Sequence, residues 1–156
     1  MRTVLRTAVV LVAMAVAVVL LRAVVVQTVQ IGSDSMAPTL RRGDTAVLDK
    51  ITLRVRDPRR ADLVAFRSPQ DGQLTVKRVV GVAGDVVELR DAVLYVNGAR
   101  ADEPQVDLVA DDATWFGPVT VPAGTVFLMG DNRADSIDSR AYGAVPVDEV
   151  VGRALG

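Results

Sequence analysis

Residues 74–98 read LTVKRVVGVAGDVVELRDAVLYVNG. Three valine-rich runs, 74–82, 85–90 and 92–96, are separated by Ala83-Gly84 and Arg90-Asp91 and closed by Asn97-Gly98. Runs of this length, dominated by β-branched residues and bounded by tight-turn dipeptides, are strands joined by hairpins. The same signature continues on both sides, in TAVLDKI (45–51), DLVAF (62–66), TVFLMG (125–130) and VDEVVGRA (147–154). No helical period of comparable strength follows residue 31. Residues 101–112 hold five acids and no base and include Pro104, which reads as an exposed loop between strands. Repeats and heptads are absent, so the expectation is one compact all-β domain, barrel-like or a sandwich, over residues 28–156.

The first 27 residues are of another kind. From Thr7 to Leu21 the chain reads TAVVLVAMAVAVVLL, fifteen residues without a charge, and apolar character resumes after Arg22 through Val26. A span needs about 20 apolar residues, and Arg6 and Arg22 extend this one by snorkelling. A cleavable secretory signal is the competing reading, but its small-x-small sites, Ala13-Met14-Ala15 and Ala15-Val16-Ala17, fall inside the apolar run instead of after it. Residues 1–27 are therefore expected to be a retained membrane anchor with a short cytoplasmic tail. Arg2, Arg6 and the α-amino group precede the run, whereas beyond Arg22 no base occurs until Arg41. That asymmetry places the N-terminus inside and the body outside the membrane.

Composition limits the chemistry. The 156 residues contain neither histidine nor cysteine, which excludes a Ser-His-Asp triad, a thiol nucleophile, disulfides and any His/Cys zinc site. Beyond residue 22 there are fifteen bases and nineteen acids. A mildly acidic body gives no electrostatic reason to bind nucleic acid.

Lysine occurs only at Lys50 and Lys77, against sixteen arginines. Arginine cannot give up its proton in a protein, whereas a desolvated lysine can serve as a general base. Lys50 reads as a surface charge at a strand end. Alternation puts Lys77 on one face with Thr75, Val79 and Gly81, opposite Val76 and Arg78, and leaves open which face is buried. Two further segments concentrate polar groups. In Ile31-Gly32-Ser33-Asp34-Ser35-Met36-Ala37-Pro38-Thr39-Leu40, two hydroxyls flank a carboxylate, an arrangement suited either to a nucleophile with an oxyanion donor or to a polar linker. Gly130 to Arg140, GDNRADSIDSR, reads as a binding loop or an internal hydrogen-bond network. Its acids do not follow the EF-hand spacing, so neither a metal nor a cofactor is expected.

Taken together and in this order, the three segments resemble type I signal peptidases, the membrane-anchored Ser/Lys proteases that remove signal peptides from exported proteins. Ser35 to Leu40 is similar to the family's nucleophile box, Val76 to Gly81 with Gly84-Asp85 to its lysine box, and Gly130 to Arg133 with Asp138 to Arg140 to its C-terminal box. Asp62 to Phe66 also fits a family segment of buried apolar residues. The resemblance implies that Ser35 is the nucleophile and Lys77 the general base, acting through an acyl-enzyme. It implies an oxyanion-hole hydroxyl at Ser33 and a lysine-orienting hydroxyl at Ser136. Asp138 and Arg140 become structural partners of the site, joined by Asp131.

The resemblance further implies that exported preproteins are the substrates, cut after a small-x-small site such as Ala-x-Ala. The partners would be these signal peptides and the lipid bilayer, with no nucleic acid, and a monomer is favoured. Two shallow apolar pockets are implied, for which Val47, Leu48, Leu63, Val64 and Phe66 are candidates as the runs nearest the motifs. Asp34 departs from the family pattern, since many members have a small residue there, and an inward carboxylate would oppose the oxyanion. Ala83 replaces a frequent proline, and Ala134-Asp135 a more polar pair. The alternatives are a dedicated maturation protease with the same dyad and a catalytically silent anchored β-domain. The basic stretch Arg54 to Arg60 reads as a solvated loop, with contact to anionic headgroups as the alternative.

Overall fold

A computed structural model describes residues 6, 7, 9–14, 26–106 and 115–155. Its elements are strands β1 (Val26–Gln30), β2 (Thr45–Asp49), β3 (Leu63–Arg67), β4 (Leu74–Val82), β5 (Val86–Arg90), β6 (Val93–Val96), β7 (Ala99–Arg100), β8 (Phe116–Thr120), β9 (Thr125–Met129), β10 (Val145–Pro146) and β11 (Val150–Leu155). Two single-turn helices, α1 (Thr52–Val55) and α2 (Ser139–Tyr142), and one 3-10 turn (Val147–Glu149) interrupt them. The strands form a seven-stranded sheet in the order β1-β2-β11-β3-β4-β9-β10 and a four-stranded sheet in the order β7-β6-β5-β8. The fold is all-β, as the runs of alternating residues lead one to expect.

Strand β4 is the hinge between the sheets. It pairs with β3 and β9 in the larger sheet, then turns at Val82–Asp85 into β5 of the smaller one. Both faces of β4 are covered, which is why its sequence is nearly continuously apolar. The register with β9 slips between Val79 and Gly81, a bulge that bends the strand and increases its twist. A Cβ on Gly81 would lie 2.6 Å from the Val87 side chain, so glycine is what lets the two sheets close on each other. Val80, Phe127 and Met129 from one sheet, Val87, Leu89 and Leu94 from the other, and Val121 just after β8 fill that seam. A second core, with Ile31, Met36, Leu40, Leu48, Leu63 and Val76, roots the segment after β1 onto the larger sheet.

The hairpin after β5 turns at Asp91-Ala92, both at positive φ, one residue later than the Arg90-Asp91 dipeptide suggests. The register Arg90 to Val93 requires this, because a two-residue loop of this hand needs both central residues left-handed. The Asn97-Gly98 turn falls where expected, between β6 and β7. The run 147–154 divides into the 3-10 turn and β11, since Val147 donates to the Gly124 carbonyl instead of joining the ladder. Strand β8 escapes the pattern because Gly117-Pro118 breaks its alternation; Pro118 is tolerated on an edge strand.

Two expected surface features have structural jobs. In the basic stretch, Arg56 makes a two-pronged pair with the buried carboxylate of Asp62, at 2.7 and 3.0 Å. Arg60 does the same with Asp85, whose pKa is lowered to about 2 chiefly by that hydrogen bond. Those two arginines pin loops to the sheet, so the solvated-loop reading fails for them. Within 101–106, Glu103 pairs with the buried Arg133 and Val106 is itself buried, so this part of the acidic segment is docked; the remainder, 107–112, lies outside the described residues. Most of the expected anchor also lies outside them. Residues 6, 7 and 9–14 are helical and exposed, and no helix among the described residues is long and apolar enough to cross a membrane.

Candidate active site

Met36 is almost wholly buried beneath the segment that follows β1, and this apolar root lets the flanking hydroxyls face the sheet. Ser35 and Lys77, 42 residues apart in sequence, meet there: Lys77 Nζ donates to Ser35 Oγ at 2.7 Å, with both side chains buried. Ser33, which is exposed, donates its hydroxyl to Ser35 Oγ at 3.2 Å. Among the described residues no ion pair holds the Lys77 ammonium. Burial pushes the Lys77 pKa down, partly opposed by the charge of Asp138 and reinforced by that of Arg140, and the net shift is downward. A lysine in that condition holds its proton weakly beside a hydroxyl that has one to give.

The Gly130–Arg140 segment closes the site from behind. A Cβ on Gly130 would lie 2.5 Å from the Ser35 carbonyl oxygen and would overlap Ser136, so only glycine allows this approach. Asp138 is fully buried and caps α2. It accepts from Gly130 N at 3.0 Å, Ser136 Oγ at 2.8 Å and Arg140 Nε at 2.8 Å. Burial raises its pKa, but the Arg140 contact, that cation's charge and the remaining donors outweigh it, so Asp138 stays ionised. The hydrogen bond that Ser136 donates thus goes to Asp138.

Asp131 is nearly inaccessible and accepts from Arg78 Nε at 2.7 Å, Arg78 Nη2 at 2.6 Å and the Thr39 hydroxyl. It therefore joins the lysine strand to the serine segment. Asn132 makes a second tie, from its backbone N–H to the Ser35 carbonyl and from its side chain to the Asp34 carbonyl. Thr39, Arg78 and Asn132 lie within the three boxes, but the sequence assigns none of them a role at the site. The Asp34 carboxylate is held by Arg42, accepting from Arg42 N at 3.0 Å and pairing with its guanidinium at 3.7 Å, and both residues lie at the cleft that holds Ser35.

A cleft of about 570 Å³ opens over Ser35 and Lys77. Its apolar lining comes from Val29, Ile31, Met36, Leu74, Val76 and Ile137. Val47, Leu48, Leu63, Val64 and Phe66 do not line it. Leu48, Leu63, Val64 and Phe66 point into the cores, because proximity in sequence to a motif does not decide which face of a strand a residue occupies. Among the described residues there is no cluster of acids suited to a metal ion.

Comparison with known proteins gives a consistent answer. The family model for signal peptidase, peptidase S26, matches residues 3–155. A probable signal peptidase I-2 from Synechocystis sp. is 37% identical over 142 residues, covering 86% of this chain and 64% of that protein. Signal peptidase I from Bacillus caldolyticus is 34% identical over 133 residues, covering 76% and 71% respectively. The chain thus spans less than two thirds of the length of the Synechocystis relative. Among solved structures, a signal peptidase I from Enterococcus faecalis V583 superposes with a TM-score of 0.55 at 35% identity, covering 65% of this chain and 98% of that one.

Proposed function

The chain belongs to the signal peptidase family, peptidase S26, and from that premise we propose that it is a serine endopeptidase that removes signal peptides from exported preproteins. The observation that carries the reading is the buried 2.7 Å hydrogen bond between Lys77 Nζ and Ser35 Oγ, with no carboxylate paired to the lysine among the described residues. In the proposed reaction neutral Lys77 takes the Ser35 proton as Oγ attacks the scissile carbonyl carbon. The Ser35 N–H and the Ser33 hydroxyl receive the oxyanion. Collapse breaks the C–N bond, Lys77 protonates the departing amine of the mature chain, and the signal peptide remains as an ester on Ser35. Lys77, neutral again, then takes a proton from water, whose attack releases the carboxylate and restores the serine.

The cleft supports an extended peptide beside β1 and β4, with Ile31, Met36, Leu74 and Val76 as walls that suit alanine-sized side chains. Asp34 lies at the cleft with Arg42, whose guanidinium at 3.7 Å partly offsets its charge near the oxyanion position. Ser136 and Asp138 act as supports, orienting the lysine and closing the site through Arg140, and Asp131 holds the two active segments together. The apolar segment ahead of β1 serves as a single membrane anchor with the N-terminus cytoplasmic, a topology supported by the arginines that precede the run, while Val26 and Gln27 of the expected anchor belong to β1.

The test is cleavage of a detergent-presented preprotein bearing an Ala-x-Ala site, by the intact chain and by Ser35→Ala, with the cut located by mass. Cleavage after the second alanine, absent in the variant, is the expected result. A folded chain that leaves generic preproteins intact overturns the reading and points to a protease dedicated to one exported protein.

A further inference from the structure

The peptide unit between Asp34 and Ser35 has the oxyanion donor, Ser35 N–H, at one end and the Asp34 carbonyl at the other. This unit is trans, since the cis bonds among the described residues precede Pro38 and Pro118. In a planar trans peptide the C=O and N–H vectors are opposed, so whatever fixes the carbonyl also aims the N–H. Asn132 Nδ2 donates to that carbonyl at 3.2 Å, while its backbone N–H donates to the next carbonyl, that of Ser35, at 3.1 Å. The Ala37 N–H also donates to the Asp34 carbonyl, at 2.9 Å, but this bond lies within the serine segment and moves with it. Asn132 instead belongs to the segment after β9, which Asp131 and Arg78 tie to β4. Among the described residues no hydrogen bond uses the Ser35 N–H, which leaves it available.

We infer that Asn132 is a positioning residue for oxyanion stabilisation: its side-chain amide grips the Asp34 carbonyl and thereby aims the Ser35 N–H at the reacting carbonyl. Donation to a peptide carbonyl also polarises the amide and strengthens its N–H as a donor. The inference rests on the proposed acyl transfer at Ser35. Loss of a direct oxyanion donor costs about 100- to 1000-fold in kcat. An indirect aim, with the Ala37 bond left in place, is worth roughly tenfold on the same scale.

The experiment uses Asn132→Leu, close to isosteric and uncharged, and Asn132→Ala, which differs in packing, so that one reads if the other misfolds. Both keep the backbone bond to Ser35. Each is assayed for kcat, KM and pH profile on the Ala-x-Ala preprotein. Each is also assayed for affinity toward a peptide aldehyde, whose adduct with Ser35 bears an oxygen at the oxyanion position, and toward the matching peptide alcohol, which forms no adduct. The expected result is a roughly tenfold fall in kcat and in aldehyde affinity, with KM, alcohol affinity and the pH midpoint unmoved. Folded variants with unchanged kcat and aldehyde affinity overturn the inference. So does an equal loss for aldehyde and alcohol, which marks simple peptide binding, or a moved pH midpoint, which marks an effect through Lys77. Should the unaltered chain bind the aldehyde at Ser35 yet cleave no preprotein, the functional reading falls while the aldehyde and alcohol affinities still decide the role of Asn132.

Discussion

Lys77 and Arg78 are neighbours on one strand, yet their surroundings differ in kind. Arg78 reaches one face and meets Asp131 through two hydrogen bonds, with Thr39 completing the carboxylate's shell. Lys77 reaches the other face, is buried, and meets a serine hydroxyl. A buried cation with its counter-ion is scaffold, since the pair is mutually compensated and removing either partner strands a charge. A buried cation without one is poised to become neutral, a state that costs stability and permits proton transfer. The strand's alternation lets one sequence step separate the two roles.

The comparison breaks most visibly at the proposed pair of Ser35 and Lys77. Ser35→Ala and Lys77→Met are each expected to lower cleavage by about 1000-fold or more, because neither a nucleophile nor a base of comparable placement remains. Lys77→Met should melt no lower than the parent at neutral pH. The sign follows from linkage: the folded-state pKa of Lys77 lies below its ordinary 10.5, so the unfolded chain binds more protons between those two values. The parent therefore gains stability as pH rises through that window, and the advantage of the methionine variant shrinks there. Denaturant midpoints of both proteins across alkaline pH check this, and a variant that loses stability at neutral pH would show that the lysine is a structural group after all.

On the Arg78 face the order reverses. Asp131→Ala is expected to destabilise by about 3 kcal/mol by leaving a half-shielded guanidinium without its carboxylate. Combining it with Arg78→Met should recover much of that loss, and the pH midpoint of the folded fraction should move only slightly downward, because the Asp131 charge is the weakest of the influences on the Lys77 pKa. Equilibrium unfolding of the two single variants and the double one closes the cycle. A catalytic defect in Asp131→Ala out of proportion to its unfolding would erase the contrast between the faces.

A smaller effect is expected in the pH profile of the parent enzyme. The rate kcat/KM should rise with pH through a midpoint below the ordinary lysine value, because the proposed reaction starts from the deprotonated lysine, whose pKa is lowered by burial. A flat profile, measured with the same substrate and detergent, removes Lys77 as the titrating base. Smallest of all is Ser136→Ala, which gives up a 2.8 Å bond to Asp138 that Gly130 and Arg140 continue to satisfy. It should cost about 1 kcal/mol of stability and slow cleavage only several-fold. A loss as deep as that of Lys77→Met would move Ser136 into the catalytic pair.

Much of the fold was legible because local rules acted without competition. Strand β4 occupies the same residues, 74–82, that its valine-rich run marks out, and the Asn97-Gly98 turn sits where its left-handed preference requires. The short strand β8 was hidden by Pro118, and β1 by its position directly after an apolar run of another kind. Of the site, the chemical types were legible and their surroundings were not. Absence of histidine and cysteine left lysine, tyrosine and carboxylates as candidate bases, and the rarity of lysine drew attention to Lys50 and Lys77. Resemblance of three boxes then ordered the groups, while Leu48, Leu63, Val64 and Phe66, chosen as pocket candidates by nearness in sequence, face the cores.

The sequence by itself determined an all-β body, the inventory of groups able to move a proton, and the order of the motifs that carry them, because period, turn chemistry and composition are properties of adjacent residues. Only the tertiary structure decided which face of β4 holds the uncompensated cation, that Asp34 pairs with Arg42, and that Asn132 grips the serine segment. Those outcomes depend on segments far apart in the chain. Burial, which lowers the Lys77 pKa, exists only once distant segments have closed over the lysine.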